Sequence, residues 1–391
     1  MFSVTRNRIL FLSWITYASF YLLRVNMSVA IPGIMATFDL SRTTLGAVES
    51  AFFALYAVGQ FVNGQLADRY GAKRLLSLGL LVSIGASLLL TQFGGIVGIL
   101  LLLWGVNGFF QAMGWSPTVR VVNSWFQSKG KIAGILGTSY IIGGALSWIL
   151  AGQTAKIGWQ AIFWVPAIVC LVVLLFYMVF VKEREATKPV PLNRTVKACI
   201  GNRYAWYGGL GLFGLNIVRY GFLVWAPTFF FETQHAEITS ATYKALVFPL
   251  AGALGALAVG WLTDKYFHQE RGLVALSMCI VLAGACFILP SSPNWMTTLV
   301  LLAVIGFTVF GPHSYVVTQL PMLIGRKTDI ASITGFIDGM GYIGASITGV
   351  VSGMLVDRIG WSAAMYFWVG GAIVAGIFMW IGGRRRNERT D

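Results

Sequence analysis

The chain has 391 residues, of which 57% are hydrophobic and only 11% are charged, and its formal net charge is +14. Soluble domains carry about 25% charged residues, so this composition excludes a water-soluble globular protein, a disordered chain and a disulfide scaffold, and it predicts many membrane spans. A positive charge would suit nucleic-acid binding in a soluble protein, but lysine and arginine also collect in the cytoplasmic loops of membrane proteins. No nucleic-acid partner is therefore expected.

Twelve apolar stretches are long enough to cross a bilayer, which takes about 20 residues of helix. The predicted fold is an all-α membrane protein with twelve transmembrane helices, and its short loops leave no room for an extramembrane catalytic domain. The first six spans are predicted at residues 9–31, 44–66, 75–93, 96–122, 132–154 and 161–181. The second six are predicted at residues 204–231, 241–263, 271–289, 296–320, 331–355 and 362–382.

The loops predict the orientation and the domain organisation. Most lysines and arginines fall in segments that are cytoplasmic if both termini are inside, whereas the outer loops hold Arg42, Lys156 and Arg358. The longest polar stretch, residues 182–203, separates an N-terminal six-helix half (1–181) from a C-terminal half (204–391) with a short basic tail. We expect an integral, multi-pass protein of a bacterial inner membrane.

The two halves repeat each other. Gly64-Gln65-Leu66-Ala67-Asp68-Arg69 ends span 2, and Gly260-Trp261-Leu262-Thr263-Asp264-Lys265 ends span 8. Lys156-Ile157-Gly158-Trp159 follows span 5, and Arg358-Ile359-Gly360-Trp361 follows span 11. Such repeats are typical of secondary transporters, whose binding site lies at the repeat interface near the membrane midplane.

Charged residues within spans indicate functional sites, because burying a charge in a bilayer costs at least a few kcal/mol. Arg24 and Arg219 each lie about fifteen residues into their spans, which places both near the midplane at ~1.5 Å per residue. Two guanidinium groups, one from each half, suit a phosphate or carboxylate. A structural ion pair is the alternative, with Glu49 and Asp338 as the possible partners.

The remaining ionisable residues in the spans have open roles. Asp338 is either a proton carrier or a static counter-ion, and Glu49 is expected to form a hydrogen bond near the outer end of span 2. A helix break at Gly311-Pro312 would aim His313 at a cavity, while a packed histidine bonded to a backbone carbonyl is the alternative. Arg120, late in span 4, is assigned to a structural or gate role.

No grouping of histidines, cysteines and carboxylates in the sequence has metal-ligand spacing, and the sequence has no phosphate-binding loop for ATP. It also has no nucleophile–base pattern. No enzyme activity, metal or cofactor is therefore predicted. The expected partners are the lipid bilayer and a small anionic substrate, and a monomer is expected.

Several motifs resemble a known family. The stretch Gly64-Gln65-Leu66-Ala67-Asp68-Arg69-Tyr70-Gly71-Ala72-Lys73-Arg74 resembles the loop 2–3 signature of the major facilitator superfamily, and the resemblance covers essentially the whole chain. Within it, Asn107-Gly108-Phe109-Phe110-Gln111-Ala112-Met113-Gly114-Trp115-Ser116-Pro117, Arg219-Tyr220-Gly221 and Phe310-Gly311-Pro312 resemble the organophosphate:phosphate antiporters. Span 1, from Tyr21 to Pro32, is also similar to anion:cation symporters and vesicular organic-anion carriers.

The resemblance implies a substrate site with an arginine on each of helices 1 and 7, which match Arg24 and Arg219. Three positions depart from the antiporter pattern, because Val25 replaces a basic residue, Gln60 a lysine and Tyr140 a histidine. Fewer cationic groups leave room for a smaller or less charged anion than a hexose phosphate. The substrate-binding candidates are Arg24, Arg219, Tyr21, Tyr56, Gln60, Tyr140, Tyr17 and Asn216.

Together these features predict a rocker-switch antiporter that exchanges a small organic phosphate for inorganic phosphate. Asp68 with Arg69, and Asp264 with Lys265, are predicted to tie helix ends at the cytoplasmic face and to act in gating. One alternative is a proton-coupled organic carboxylate symporter with Asp338 or Glu49 as its proton site. The other is a transporter-like sensor that binds a sugar phosphate and signals to a partner.

Overall fold

The computed structural model describes residues 2–126, 129–182, 199–234, 236–267, 270–292, 294–324 and 330–383. Within these ranges the chain contains no strand, and 12 helical segments are long and apolar enough to cross a membrane. The prediction of an all-α, twelve-span membrane protein is confirmed. Most of the loop 182–203 and the tail 384–391 fall outside the described residues, so the predicted domain boundaries stay predictions.

Most spans are single helices, but spans 1, 4, 8 and 10 are interrupted. Span 1 consists of Phe2–Leu22 and Met27–Phe38, span 2 is Arg42–Tyr70, and span 3 is Ala72–Phe93. Span 4 consists of Val97–Gln111 and Trp115–Asn123, span 5 is Lys129–Thr154, and span 6 is Ala161–Phe180. Span 7 is Arg203–Thr233, and span 8 consists of Ile238–Ala245 and Val247–Lys265. Span 9 is Arg271–Ile288 followed by the 3-10 turn Leu289–Ser291, and span 10 consists of Trp295–Ser314, the π-helix Tyr315–Gln319 and Leu320–Ile324. Span 11 is Ile330–Arg358, and span 12 is Trp361–Gly383.

Contacts divide the chain into two compact units. Unit 1 comprises Met1–Leu40, Ala51–Pro189 and His235–Tyr243, and unit 2 comprises Ser41–Ser50, Val190–Gln234 and Lys244–Asp391. In unit 1, span 1 packs against spans 5 and 6, and span 3 packs against spans 4 and 6. In unit 2, span 7 packs against spans 11 and 12, and span 9 packs against spans 10 and 12. The same packing order therefore recurs in each unit, as the sequence repeat predicts.

Glycines permit the same close helix contact within each unit. In unit 1, a Cβ on Gly108 of span 4 would lie 2.1 Å from the carbonyl oxygen of Phe52 in span 2. In unit 2, a Cβ on Gly306 of span 10 would lie 2.1 Å from the carbonyl oxygen of Phe248 in span 8. No side chain can approach an oxygen atom so closely, so both helix pairs require a glycine at this position.

We expect Gly306→Ala to lower the apparent melting temperature of the purified protein, because overpacking a tight contact costs about 1–3 kcal/mol. Gly260→Ala is the matched control, since a Cβ on Gly260 of span 8 meets no described atom within 4 Å. Tryptophan fluorescence during thermal unfolding in detergent measures both variants. Equal melting temperatures for the two variants would contradict the packing role of Gly306.

The first turn of span 2 belongs to unit 2 and is capped by a carboxylate of span 11. Asp357 accepts hydrogen bonds from the backbone N–H groups of Arg42 at 3.3 Å and Thr43 at 2.7 Å. These bonds satisfy donors that a helix N-terminus leaves without helical partners. The Arg42 guanidinium also pairs with Glu232 at 2.8 Å and with Asp357 at 3.1 Å. Arg42, predicted as a loop cation, is thus bound by two carboxylates.

Candidate functional site

Arg24 lies in a break between the two helices of span 1. The first helix ends at Leu22 and the second begins at Met27, whereas the sequence predicts one continuous helix over residues 9–31. The backbone N–H groups of Arg24 and Val25 both donate to the carbonyl of Tyr21, at 3.2 and 3.1 Å, and close a turn. The predicted midplane arginine is therefore carried by a turn rather than by a regular helix.

The guanidinium of Arg24 is surrounded by aromatic rings of unit 1. The residue is only 7% exposed, and its Cζ lies 4.4 Å from the ring centre of Tyr56, 5.3 Å from that of Tyr21 and 5.6 Å from that of Phe52. The negative faces of aromatic rings stabilise a cation that burial has removed from water. The rings therefore stabilise the charged guanidinium in this buried position.

The predicted tyrosines of unit 1 form one cluster beside Arg24. The ring centres of Tyr17 and Tyr21 are 5.9 Å apart, and those of Tyr21 and Tyr140 are 6.2 Å apart. Tyr17 and Tyr56 are buried, whereas Tyr21 and Tyr140 are half-buried. Tyr21 and Tyr56 thus contact the arginine, Tyr17 and Tyr140 pack against Tyr21, and the half-buried pair leaves part of the cluster accessible.

Arg219 lies on the continuous helix of span 7 in unit 2 and is 6% exposed. Its Nη1 lies 2.8 Å from Nε2 of His313 in span 10. A guanidinium has donors and no acceptor, so Nε2 accepts this hydrogen bond and the imidazole is neutral with its proton on Nδ1. The sequence left His313 either facing a cavity or bonded to a carbonyl. In the structure its ring nitrogen contacts Arg219 and orients the guanidinium.

Aromatic rings and a carboxylate complete the surroundings of Arg219. Its Cζ lies 4.8 Å from the ring centre of Phe310 and 5.2 Å from that of Tyr220. Its positive charge also interacts with Asp338 of span 11, which is half-buried. Unit 2 therefore holds an arginine, a neutral histidine and a carboxylate close together, whereas the Arg24 cluster is aromatic.

The remaining candidates for substrate binding and coupling are Asn216, Gln60 and Glu49. Asn216 is buried one turn before Arg219, and its Oδ1 accepts no hydrogen bond from the described residues. Gln60 is half-buried one turn beyond Tyr56, and Glu49 is 3% exposed in the first third of span 2. Their assigned roles stay predictions.

The predicted gating residues are described only in part. Arg120 is half-buried in the second helix of span 4. Lys265 is exposed, and its Nζ lies 5.0 Å from the ring centres of both Trp261 and Tyr266. The side chains of Asp68, Arg69 and Asp264 lie outside the described residues. The proposed ties at the cytoplasmic face stay predictions.

The expected break at Pro312 is displaced along span 10. The helix continues through Pro312 and His313 to Ser314, and a π-helix follows at Tyr315–Gln319. Proline removes one N–H donor and crowds the preceding turn, whereas the π-helix lies in the turn that follows Pro312. π-Helical turns occur frequently at functional sites.

Sequence reasoning missed the residues that shape the surroundings of Arg24. Phe52 precedes Tyr56 by one helical turn, and this spacing was the available signal for a ring beside the arginine. Asn107 and Gln111 stand in a motif that the sequence analysis singled out, but they received no role. In the structure, Asn107 Nδ2 donates to the carbonyl of Leu23 at 2.9 Å, and Gln111 Nε2 donates to that of Phe20 at 3.0 Å.

Comparison with known proteins identifies the family. The model of the Major Facilitator Superfamily matches residues 10–349, and the chain therefore belongs to this superfamily. The chain is accordingly a multi-pass integral membrane protein of a transporter family and not an enzyme. The earlier resemblance to this superfamily is confirmed.

Individual relatives are similar over almost the whole chain. The glycerol-3-phosphate transporter of Bacillus subtilis (strain 168) is 26% identical, with 95% of this chain and 91% of that protein covered. The membrane sensor protein UhpC of Escherichia coli (strain K12) is 28% identical, with 95% and 90% covered. A solved structure of a bacterial homolog of the human lysosomal transporter Spinster matches with a TM-score of 0.84 at 15% identity, over 97% of each chain, and shows the same fold.

Proposed function

We propose that this member of the Major Facilitator Superfamily exchanges a small organic phosphate for inorganic phosphate across a bacterial inner membrane, with both termini in the cytoplasm. The observation that carries the proposal is a buried arginine in each repeat, Arg24 in span 1 and Arg219 in span 7. A guanidinium presents planar donors that fit phosphate oxygens. The similarity to a glycerol-3-phosphate transporter supports a phosphorylated substrate.

Both arginines would contribute to binding, and this requirement accounts for exchange rather than leakage. A phosphate dianion supplies two negative charges, which two guanidinium groups can neutralise without a proton. Binding of the anion by both arginines would lower the barrier to reorientation, so that the loaded carrier reorients readily. In an alternating-access cycle of the rocker-switch type, such a carrier imports one phosphate compound each time it exports another.

A thermal-shift screen tests the substrate class. A ligand present at 100 times its dissociation constant adds about 2.7 kcal/mol to the stability of the state that binds it. We expect glycerol 3-phosphate and inorganic phosphate to raise the melting temperature of the purified protein, and glycerate, a carboxylate of similar size, to leave it unchanged. Stabilisation by glycerate alone would contradict the proposal and favour the carboxylate symporter.

His313 provides a second test, because it accepts a hydrogen bond from Arg219. His313→Leu removes the acceptor and should weaken phosphate binding roughly tenfold or more, since a hydrogen bond to a charged group contributes about 1.5–3 kcal/mol. His313→Gln retains an acceptor oxygen and should stay within about threefold of the wild-type dissociation constant by that reasoning. Phosphate titration of both purified variants measures the difference. Equal losses in the two variants would refute the orienting role.

Asp338 separates the exchanger from a proton-coupled symporter, the alternative that its half-buried position near Arg219 favours. If the protein is an exchanger, Asp338→Asn should preserve both counterflow and net exchange against phosphate. If Asp338 carries a proton, the variant should keep counterflow but lose uphill uptake driven by a pH gradient. Both assays can be run in proteoliposomes. Wild-type accumulation driven by a pH gradient that disappears in Asp338→Asn would establish the symporter.

A sensor is the second candidate, because one relative of 28% identity is named a membrane sensor protein. A sensor requires ligand binding and a signalling partner but no turnover. Purified protein that binds glycerol 3-phosphate and yet catalyses no counterflow in proteoliposomes would favour the sensor. Counterflow at rates well above those of empty liposomes would favour the exchanger.

A further inference from the structure

The break in span 1 interrupts the regular helical hydrogen bonds of backbone carbonyl groups within a membrane span, and turn bonds such as the one from Leu23 N–H to the Phe20 carbonyl at 3.2 Å replace them only in part. Such groups are costly in a bilayer unless other groups satisfy them. Two side chains of span 4 do so: Asn107 bonds the carbonyl of Leu23 at 2.9 Å, and Gln111 bonds that of Phe20 at 3.0 Å. Asn107 is 0% exposed and Gln111 is 2% exposed. Both amides thus act on the segment that carries Arg24.

The same stretch of span 4 also fixes a ring beside Arg24. Gly108 lies so close to span 2 that a Cβ on it would be 2.1 Å from the carbonyl oxygen of Phe52. The ring centre of Phe52 is 5.6 Å from Cζ of Arg24. Span 4 therefore contacts the backbone of both spans that enclose the guanidinium: Asn107 and Gln111 contact span 1, and Gly108 contacts span 2.

The second repeat contains the glycine contact without the amides. Gly306 approaches the backbone of Phe248 as Gly108 approaches that of Phe52. The residue before this glycine is Ile305 instead of asparagine, and the third residue after it is Val309 instead of glutamine.

The presence of the two amides correlates with a break in the helix that carries the arginine. Span 7 is one helix, Arg203–Thr233, through Arg219, and therefore has no broken-helix carbonyls at that point. The amides accordingly occur in the repeat whose arginine helix is broken. A general packing role for this position would not require such a difference.

We infer that Asn107 and Gln111 are positioning residues, which hold the broken segment of span 1 and thereby place the Arg24 guanidinium to bind the transported anion. The inference deepens the proposed function and rests on it. Loss of the Asn107 amide removes the hydrogen bond that the Leu23 carbonyl accepts at 2.9 Å, and loss of the Gln111 amide leaves the Phe20 carbonyl with only the 3.2 Å bond from the N–H of Leu23. The segment then shifts to find another partner. The displaced arginine then binds the anion less well, while the rest of the carrier remains able to reorient.

The test is phosphate exchange in proteoliposomes by the wild type, Asn107→Leu and Gln111→Met, each of which removes the amide with little change in volume. Asn63→Leu is the matched control: Asn63 is 1% exposed, and its Nδ2 donates to the carbonyl of Phe109, within span 4 and away from the break. The KM and the maximal rate for phosphate are measured for each. Size-exclusion profiles and melting temperatures establish that each variant is folded.

We expect the KM for phosphate to rise at least tenfold in Asn107→Leu and in Gln111→Met, with a smaller change in maximal rate, and to rise less than threefold in Asn63→Leu. A KM close to wild type in both break variants, or an equal rise in the control, would overturn the inference. A wild type that exchanges no phosphate would overturn the proposed function and this inference with it. Exchange by the wild type with unchanged variants would overturn the inference alone.

Discussion

Arg24→Lys is expected to lower phosphate exchange about a hundredfold without loss of expression or membrane insertion. Lysine keeps the positive charge but not the planar fork, and it loses the contact with the Tyr56 ring at 4.4 Å. Hydrogen bonds to charged groups contribute about 1.5–3 kcal/mol each. Because about 1.4 kcal/mol corresponds to a tenfold change, the loss of two such bonds, at about 1.5 kcal/mol each, gives a reduction of about a hundredfold, and stronger bonds would give more.

The control for this variant is Arg8→Lys. Arg8 is exposed in the same span, and its Cζ lies 5.9 Å from the ring centre of Phe180, so the substitution changes the same chemical group at a distance from the break. Initial rates of labelled phosphate uptake into phosphate-loaded proteoliposomes should be close to wild type for Arg8→Lys. If Arg24→Lys retained wild-type affinity for phosphate, the proposal that Arg24 binds the substrate would be refuted.

Arg219→Lys is expected to cause a loss of similar size. A lysine at this position could still donate to His313, but it would lose the second nitrogen that a guanidinium can offer to an anion while bonded to the histidine at 2.8 Å. The substitution also removes the planar guanidinium from the Phe310 ring, whose centre lies 4.8 Å from the Arg219 Cζ. Phosphate affinity should therefore fall together with the exchange rate.

Arg203→Lys is the control for Arg219→Lys. Arg203 is exposed at the start of the same helix, and its Cζ lies 4.9 Å from the ring centre of Tyr204. We expect it to leave both the phosphate dissociation constant and the exchange rate unchanged. If Arg203→Lys and Arg219→Lys had equal effects on phosphate binding, the special role of Arg219 would be refuted.

Features of the molecule that depend on local sequence could be predicted. The number of spans follows from runs of apolar residues, each about as long as the bilayer is thick, and needs no knowledge of packing. Tyr17, Tyr21 and Tyr140 were named as substrate-binding candidates, and ring distances of 5.9 and 6.2 Å bring these residues together, while their role in binding stays a prediction. Burial of Arg24 and Arg219 was likewise expected, because both arginines occur far inside apolar runs.

The break at Arg24 could not be predicted, because its causes lie far away along the chain. Residues 23–26 include neither glycine nor proline, and the nearby Pro32 lies inside the following helix. The carbonyls at the break are bonded by Asn107 and Gln111, which are 84 and 91 residues away from their partners. Periodicity detects an amphipathic or apolar helix, but it does not detect bonds that compensate for interrupting one.

The contact between Arg219 and His313 could not be predicted for a similar reason. A structural ion pair with Glu49 or Asp338 was the alternative to an anion site, and Asp338 does interact with the charge of Arg219. The structure adds a neutral acceptor, His313, which is 94 residues away in sequence. Pro312 did signal a local irregularity, but the π-helix at Tyr315–Gln319 and the direction of the histidine ring depend on packing within unit 2.

The central claim is most directly tested by uptake of labelled glycerol 3-phosphate into proteoliposomes that contain the wild-type protein. The account predicts uptake that requires inorganic phosphate inside the vesicles and that a protonophore leaves unchanged, because Arg24 and Arg219 are proposed to neutralise the substrate without a proton. Uptake that is independent of internal phosphate and abolished by the protonophore would contradict it.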